Sequence, residues 1–337
     1  MGCSALSVCP RLSLMSAEAE APVDGPAGPE QEPEYRSPFG NWFERASVRQ
    51  APRRMVVDDG TQQYFSPDLV PVAGHPLVKA LDGAHYDELL VQHLYRYLDF
   101  TAKLEYLVVN PVLLRIAHGT DGMRLPAQMR FDALKMYCDE AYHGLFSVDL
   151  TRQVEERTGI VPRTPVQPFF LRRLKEITEE LPAEERGLAE LLFVIISETL
   201  ISASLAEVPA VDGVVSAVRE TIRDHALDEG RHHAYFAAFL KYLWGTLTPR
   251  QRHRAGLLVP RLMHAFLHPD MDALREELAG YGMPRDDVEQ VLAEVFTPAV
   301  LSEHALATSR QTRHYFELLG ACSSAEAVEE LVRYGFV

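Results

Sequence analysis

The sequence has few cysteines and no secretory start. Its four cysteines stand at positions 3, 9, 138 and 322 of a 337-residue chain and show no paired spacing. A disulfide framework is therefore not expected. The N-terminus lacks the basic residues that begin a secretory signal. Both features favour a reducing cytoplasm.

Positive charge and long apolar runs are also in short supply. Lysine and arginine number 33 against 48 acidic residues, a formal net charge of −15. That balance argues against nucleic acid and anionic membranes as partners, and it is compatible with a basic electron-transfer partner. The most apolar stretch, around 188–205, carries Glu190 and Glu198, so it is interpreted as a core helix rather than a membrane span.

Two Glu-x-x-His motifs are present, Glu140-Ala-Tyr-His143 and Glu229-Gly-Arg-His232. A lone glutamate in an apolar run precedes each motif. Glu105 lies 35 residues before the first motif (105 to 140), and Glu198 lies 31 residues before the second motif (198 to 229). One such motif means little, since roughly two acid-x-x-His matches are expected by chance from this composition. The informative feature is the order along the chain, in which a lone glutamate and then a Glu-x-x-His motif occur twice.

Helical spacing places these residues on stripes that should face a core. In each of four segments, steps of three and four residues connect apolar positions with the candidate ligands. Glu198 is the clearest case, because the run 191–201 around it contains no basic residue. A carboxylate there costs several kcal/mol unless it is paired or bound to metal.

The residue types suit a pair of metal ions. A glutamate and a histidine three apart share a helix face, and two carboxylates can bridge two cations while positions stay open for a small oxidant. Imidazole and carboxylate ligands favour iron or manganese over a closed thiolate zinc site. A glutamate from one helix and Glu-x-x-His from the next, twice over, is the ligand set of a dinuclear site in a four-helix bundle. We therefore predict an all-α, ferritin-like four-helix bundle with additional C-terminal helices.

Three further residues are candidates for this site. Asp139 and Asp228 each precede a motif glutamate, where an aspartate can accept the second ring N–H of a ligand histidine and fix its tautomer. Either could instead be a solvated helix acid. His225 shares the face of Glu229 and is either a seventh ligand or a hydrogen-bonded neighbour of a carboxylate. His233 points about 100° away and is left out.

The chain divides into a predicted disordered tail, residues 1–35, and a single domain, residues 36–337. Residues 36–80 form a loop-rich segment that straps over the bundle. Asn110-Pro111 should interrupt the first bundle helix. The later segments wall a substrate pocket, pack on the bundle or form a homodimer interface. The predicted helices are 85–117, 124–157, 169–180, 184–206, 212–245, 248–268, 270–281, 285–295, 298–318 and 324–335.

At these positions the chain resembles the diiron arylamine N-oxygenases of antibiotic biosynthesis, the group that includes the aureothin-pathway p-aminobenzoate N-oxygenase and the chloramphenicol-pathway arylamine oxygenase. The resemblance spans roughly residues 40–320, and the histidine four residues before the last glutamate is its most specific element. The family pattern corresponds here to Glu105, Glu140, His143, Glu198, His225, Glu229 and His232.

The resemblance implies two iron ions that activate O2 as a peroxo-diferric species and oxidise an aromatic amine to a nitro group. Electrons would come from an external donor or reductase, since the chain carries no flavin or nicotinamide fingerprint. Three alternatives stay open: a diiron C-hydroxylase on the same scaffold, a ferroxidase or iron-storage protein, and a ribonucleotide reductase small subunit. For the last, the candidate radical tyrosines are Tyr106, Tyr137 and Tyr142.

Overall fold

Helices make up most of the chain that the structure describes. The computed structural model describes residues 34–57, 60–120, 122–205 and 213–337, and within these ranges it contains no extended strand. The all-α prediction is confirmed. Apart from Glu34 and Tyr35, the predicted disordered tail lies outside the described residues. In chain order the α-helices are α1 (Trp42–Arg45), α2 (Ser47–Gln50), α3 (Pro76–Lys79), α4 (Gly83–Leu104), α5 (Asn110–His118), α6 (Ala127–Thr158), α7 (Phe169–Glu179), α8 (Ala183–Leu205), α9 (Ser216–Thr246), α10 (Pro249–Leu267), α11 (Met271–Gly280), α12 (Arg285–Val295), α13 (Pro298–Leu318) and α14 (Ala325–Arg333).

Four long helices form the ferritin-like bundle. α4 packs on α6, α8 packs on α9, and contacts between α6 and α9 join the two helix pairs. The helix ends lie within a few residues of the predicted ones, and α12 and α13 have the predicted bounds. The apolar stripes that predicted the helices are buried between them, as at Leu94, Met136, Val194 and Phe236.

The predicted interruption before Pro111 takes the form of a π-helical turn. α4 ends at Leu104, the π-turn covers Glu105–Val109, and α5 begins at Asn110. The Asn110 N–H bonds the Glu105 carbonyl, five residues back. Because Pro111 lacks an N–H, the regular α-helical ladder cannot continue through it. Single π-turns inside α-helices occur frequently at functional sites, and this one begins at a candidate ligand.

The segment before the bundle lies across it, as predicted. α2 contacts both α6 and α9, the two helices that carry the Glu-x-x-His motifs. Trp42 and Ser47 are buried beneath the bundle surface. We call residues 39–54 the strap.

The C-terminal helices cover the other parts of the bundle. α10 packs on α7, α8 and α14, and α13 packs on α8. The approach of α10 to the chain after α13 requires glycine, because a Cβ at Gly256 would overlap the carbonyl of Ala321. Leu262 on α10 and Phe316 on α13 are buried, whereas Val300 on α13 is exposed. Among the described residues, no helix is both long enough and apolar enough to cross a membrane.

Candidate metal centre

The seven candidate ligands come together inside the bundle. None of them is more than 2 % exposed, although all carry ionisable side chains. α4 ends where Glu105 begins the π-turn, and the other three bundle helices supply the remaining six. Those six are Glu140 and His143 from α6, Glu198 from α8, and His225, Glu229 and His232 from α9.

Two overlapping groups of ligand atoms are each compact enough to hold a metal ion. Within each group the ligand atoms all lie within 4.8 Å of one another. Glu140 and His143 belong to both groups, which is the arrangement expected of two ions side by side. The first group adds Glu105 and His225, and the second adds Glu229 and His232.

The histidine nitrogens point into this space. His225 Nε2 lies 3.0 Å from Glu105 Oε1 and 3.1 Å from Glu229 Oε1. His232 Nδ1 lies 2.8 Å from Glu140 Oε1 and 3.0 Å from Glu229 Oε1. Glu198 belongs to neither compact group, but its Oε2 is 3.9 Å from His232 Nδ1, at the edge of the same space.

Several buried polar atoms of the cluster have no hydrogen bond with acceptable geometry. Among the described residues, both carboxylate oxygens of Glu105 and of Glu140 lack one, as do Oε2 of Glu198, Oε2 of Glu229 and Nδ1 of His143. Buried polar groups are nearly always hydrogen-bonded, so a concentration of unsatisfied ones needs an explanation. Ligation of cations satisfies them all at once.

Burial and the close contacts between charged groups shift the pKa values of the cluster. Burial raises the pKa of Glu105 to about 7. Burial and the neighbouring carboxylates raise the pKa of Glu198 well above its usual range. Burial alone would lower the pKa of His232, but the carboxylates of Glu140 and Glu229 raise it far above the ordinary value. Metal binding would displace protons from these groups, because ligands bind as carboxylate and neutral imidazole.

The two predicted aspartates contact histidines of the candidate ligand set, and they do so crosswise. Asp139 on α6 lies 3.1 Å from Nε2 of His232 on α9. Asp228 on α9 lies 3.3 Å from Nε2 of His143 on α6. Each aspartate thus leaves Nδ1 of its histidine facing the cluster. Burial would raise the pKa of Asp228, but hydrogen bonds from His143 and Ser47 lower it to about 2.

Sequence patterns did not reveal how the strap meets this site. The indole N–H of Trp42 donates to both oxygens of Asp139, at 2.7 and 2.9 Å. Phe39 stacks on the ring of His232, with ring centroids 5.9 Å apart. The aromatic residues between positions 39 and 65 were an available signal, but their pattern identifies no particular contact.

Gly144, directly after His143, is a second feature that the sequence did not reveal. A Cβ at this position would come within 3.3 Å of Tyr106 Cδ1 and 3.7 Å of Glu105 Oε2. The glycine therefore permits α6 to approach the π-turn closely. In hindsight, a glycine inside a long helix next to a ligand motif was the available signal.

The donor set fits two iron ions. Two divalent cations carry a charge of +4, which the four glutamates cancel, while Asp139 and Asp228 are held by histidine and strap donors. Mixed carboxylate and imidazole ligands suit iron. The centre is buried, which strengthens the electrostatic interactions within it.

A cluster of four glutamates and three histidines at the centre of a helical bundle defines the class of ferritin-like dinuclear metal proteins. Comparison with protein-family models is more specific. Residues 40–320 match the family described as P-aminobenzoate N-oxygenase AurF. That match covers most of the chain, so the chain belongs to this family, and the resemblance inferred from the seven residues is confirmed.

Proposed function

We propose that this protein is an O2-dependent diiron arylamine N-oxygenase, which oxidises a small aromatic amine to a nitro group in antibiotic biosynthesis. Its metal ligands would be the seven buried residues at the bundle centre. An external electron donor or reductase would supply electrons. Membership of the oxygenase family supports the reaction class.

One observation carries the proposal: two compact ligand groups share Glu140 and His143. A single group would suit one ion, whereas overlap places two ions close enough to act on the same small molecule. Iron at this site would supply O2 activation. The chain's own residues would hold the ions, fix their histidines through Asp139 and Asp228, and exclude water from the reacting amine.

A cavity of about 220 Å³ between α4, α7 and α10 is our candidate for the aryl ring. Phe100, Phe170 and Phe266 line it, and the ring centroids of Phe100 and Phe266 are 5.4 Å apart. Apolar cavities of about 150 Å³ can hold benzene. Arg96, Asp99 and Asp270 also line this cavity, and none of the seven candidate ligands does. If the aryl ring binds here, Phe266→Ala should raise KM for an arylamine and leave the iron content unchanged.

The ribonucleotide reductase alternative is disfavoured at two of the three tyrosines that suggested it, while Tyr137 is half-buried. Tyr106 is 43 % exposed and Tyr142 is 36 % exposed, whereas a long-lived radical needs protection from solvent. The ferroxidase alternative leaves α10–α14 and the ligand-like His225 without a role. A C-hydroxylase would use the same ligands, so only turnover with substrate separates it from our proposal.

The oligomeric state is a separate part of the proposal. The outer face of α6 presents four large apolar or aromatic side chains at helical spacing, each at least 36 % exposed: Phe131, Leu134, Tyr142 and Leu145. Contiguous exposed apolar surface of this kind is typical of an interaction site. We propose that a second copy of the chain covers it. Light scattering should give a dimer for the native chain and a monomer for Leu145→Glu.

The decisive experiment is iron analysis followed by a single turnover of the reduced protein with O2, with and without p-aminobenzoate or a larger arylamine. We expect two irons per chain, an optical transient that the arylamine shortens, and a hydroxylamino or nitro product. If the arylamine does not change the decay of the optical transient, C-hydroxylation or another oxidation would be the better assignment. Absence of iron after reconstitution would contradict the proposal entirely.

A further inference from the structure

The strap reaches His232 through a continuous chain of hydrogen bonds. Trp42 donates to Asp139 at 2.7 and 2.9 Å, and Asp139 Oδ2 is 3.1 Å from His232 Nε2. Asp139 is completely buried, so bulk solvent cannot reach it to replace a lost donor. Trp42 therefore fixes the position of the carboxylate that orients the histidine.

A second chain reaches His143. The backbone N–H of Ser47 lies 2.9 and 3.1 Å from the two oxygens of Asp228, and the Ser47 hydroxyl also donates to that carboxylate. Asp228 Oδ2 in turn lies 3.3 Å from His143 Nε2. The same short strap thus contacts both aspartates, five residues apart along its own sequence.

Other contacts hold the strap in register with the bundle. Lys135 on α6 donates to the carbonyl of Phe39 at 3.1 Å. At the other end, Arg53 binds Asp149 on α6 at 2.7 and 2.8 Å, and Arg54 binds α9. Both ends of the strap are therefore fixed to α6, and its middle part carries Trp42 and Ser47, which donate hydrogen bonds to the two aspartates.

We propose that the strap is a working part of the metal centre, in which Trp42 and Ser47 are positioning residues that orient His232 and His143 for iron. The inference rests on the proposed diiron function and adds a partner for each aspartate. Loss of a group that hydrogen-bonds a metal ligand typically lowers metal affinity by about 10- to 100-fold. Trp42 and Ser47 act one step further out, through the aspartates, so their loss should have a smaller effect. Because the coupling is reciprocal, iron binding must also stabilise the docked strap.

The chain provides a matched control, since it contains only two tryptophans. Trp42→Phe keeps an aromatic ring in the strap but removes both hydrogen bonds to Asp139. Trp244→Phe makes the same change on α9, twelve residues beyond His232 and about 18 Å along the helix. Ser47→Ala removes one donor and keeps the backbone N–H, so it serves as a milder variant.

The test combines anaerobic Fe2+ titration with melting temperatures of the full chain with and without iron. We expect Trp42→Phe to bind iron more weakly, by up to about 10-fold, to gain less thermal stability from iron, and to show an altered Mössbauer spectrum. Ser47→Ala should show a smaller loss, and Trp244→Phe should match the unmodified affinity and spectrum. Iron should slow tryptic cleavage after Arg45 and Arg49 in the unmodified protein and in Trp244→Phe, but less so in Trp42→Phe.

Two results would contradict the inference about the strap and leave the proposed diiron function intact. One is an unmodified iron affinity in both Trp42→Phe and Ser47→Ala. The other is a melting temperature that falls equally with and without iron in Trp42→Phe while its spectrum stays the same, because that pattern belongs to simple packing. If the unmodified chain binds no iron, the proposed function fails together with this inference.

Discussion

Asp139 lies 3.1 Å from Nε2 of His232, so the aspartate beside the first motif glutamate serves the histidine of the second motif. The reverse pairing, Asp228 with His143, completes the crossing. Helices α6 and α9 are thereby connected through the histidines as well as through their apolar contacts. A change at either aspartate should therefore disturb the opposite helix's ligand rather than the neighbour in its own motif.

Asp228→Asn tests this crossing. The amide cannot reproduce the charge-assisted bonds from His143 and Ser47, so we expect iron affinity to fall by about 10- to 100-fold. Its spectroscopic effect should resemble that of a change at His143. Asp99→Asn is the control, because Asp99 on α4 pairs with Lys103 at 2.8 Å and touches no candidate ligand. Equal iron affinities in the two variants would refute the role of Asp228.

His225 and His233 give a second matched pair on α9. His225 Nε2 lies within 3.1 Å of carboxylate oxygens from Glu105 and Glu229, whereas His233 Nε2 bonds the Tyr315 hydroxyl at 2.8 Å. His225→Ala should lower iron occupancy and change the optical and Mössbauer spectra of the oxidised protein. His233→Ala should leave both unchanged. Identical spectra for the two variants would make His225 a structural neighbour only.

The positions of the helices and of their buried stripes depend on residues that are neighbours in the sequence. Periodicity located the bundle helices and the inward stripe of Glu198, because burial and helical spacing are both encoded in neighbouring residues. It could not show that Asp139 and His232 pair across helices, or that Trp42 would lie against Asp139, 97 positions away. Those contacts depend on how the helices pack, which no single stretch specifies. The predicted interruption at Pro111 was correct, but its π-helical form was not foreseen.

Glu198→Gln separates stability from metal binding. Burial and neighbouring carboxylates raise the pKa of Glu198 in the metal-free protein, so its charged form is unfavourable there. A neutral amide of the same size should raise the melting temperature of the metal-free protein and reduce the gain produced by iron. Glu190→Gln, on the same helix but exposed and paired with Arg115 at 3.1 Å, should change neither quantity much. A metal-free Glu198→Gln protein that melts lower would contradict the explanation.

Two glycines next to the motif ligands should respond in opposite ways. A Cβ at Gly230, which follows Glu229, would meet no described atom within 4 Å, whereas one at Gly144 would lie 3.3 Å from Tyr106 and 3.7 Å from Glu105. Gly230→Ala should raise the free energy of unfolding by about 0.5–1 kcal/mol, because alanine is the better helix former. Gly144→Leu should lower it by about 1–3 kcal/mol through overpacking and should also displace Glu105, reducing iron occupancy. Denaturant titration and iron analysis of both variants would check this, and full iron occupancy in Gly144→Leu would show that the close approach of α6 to the π-turn does not position Glu105.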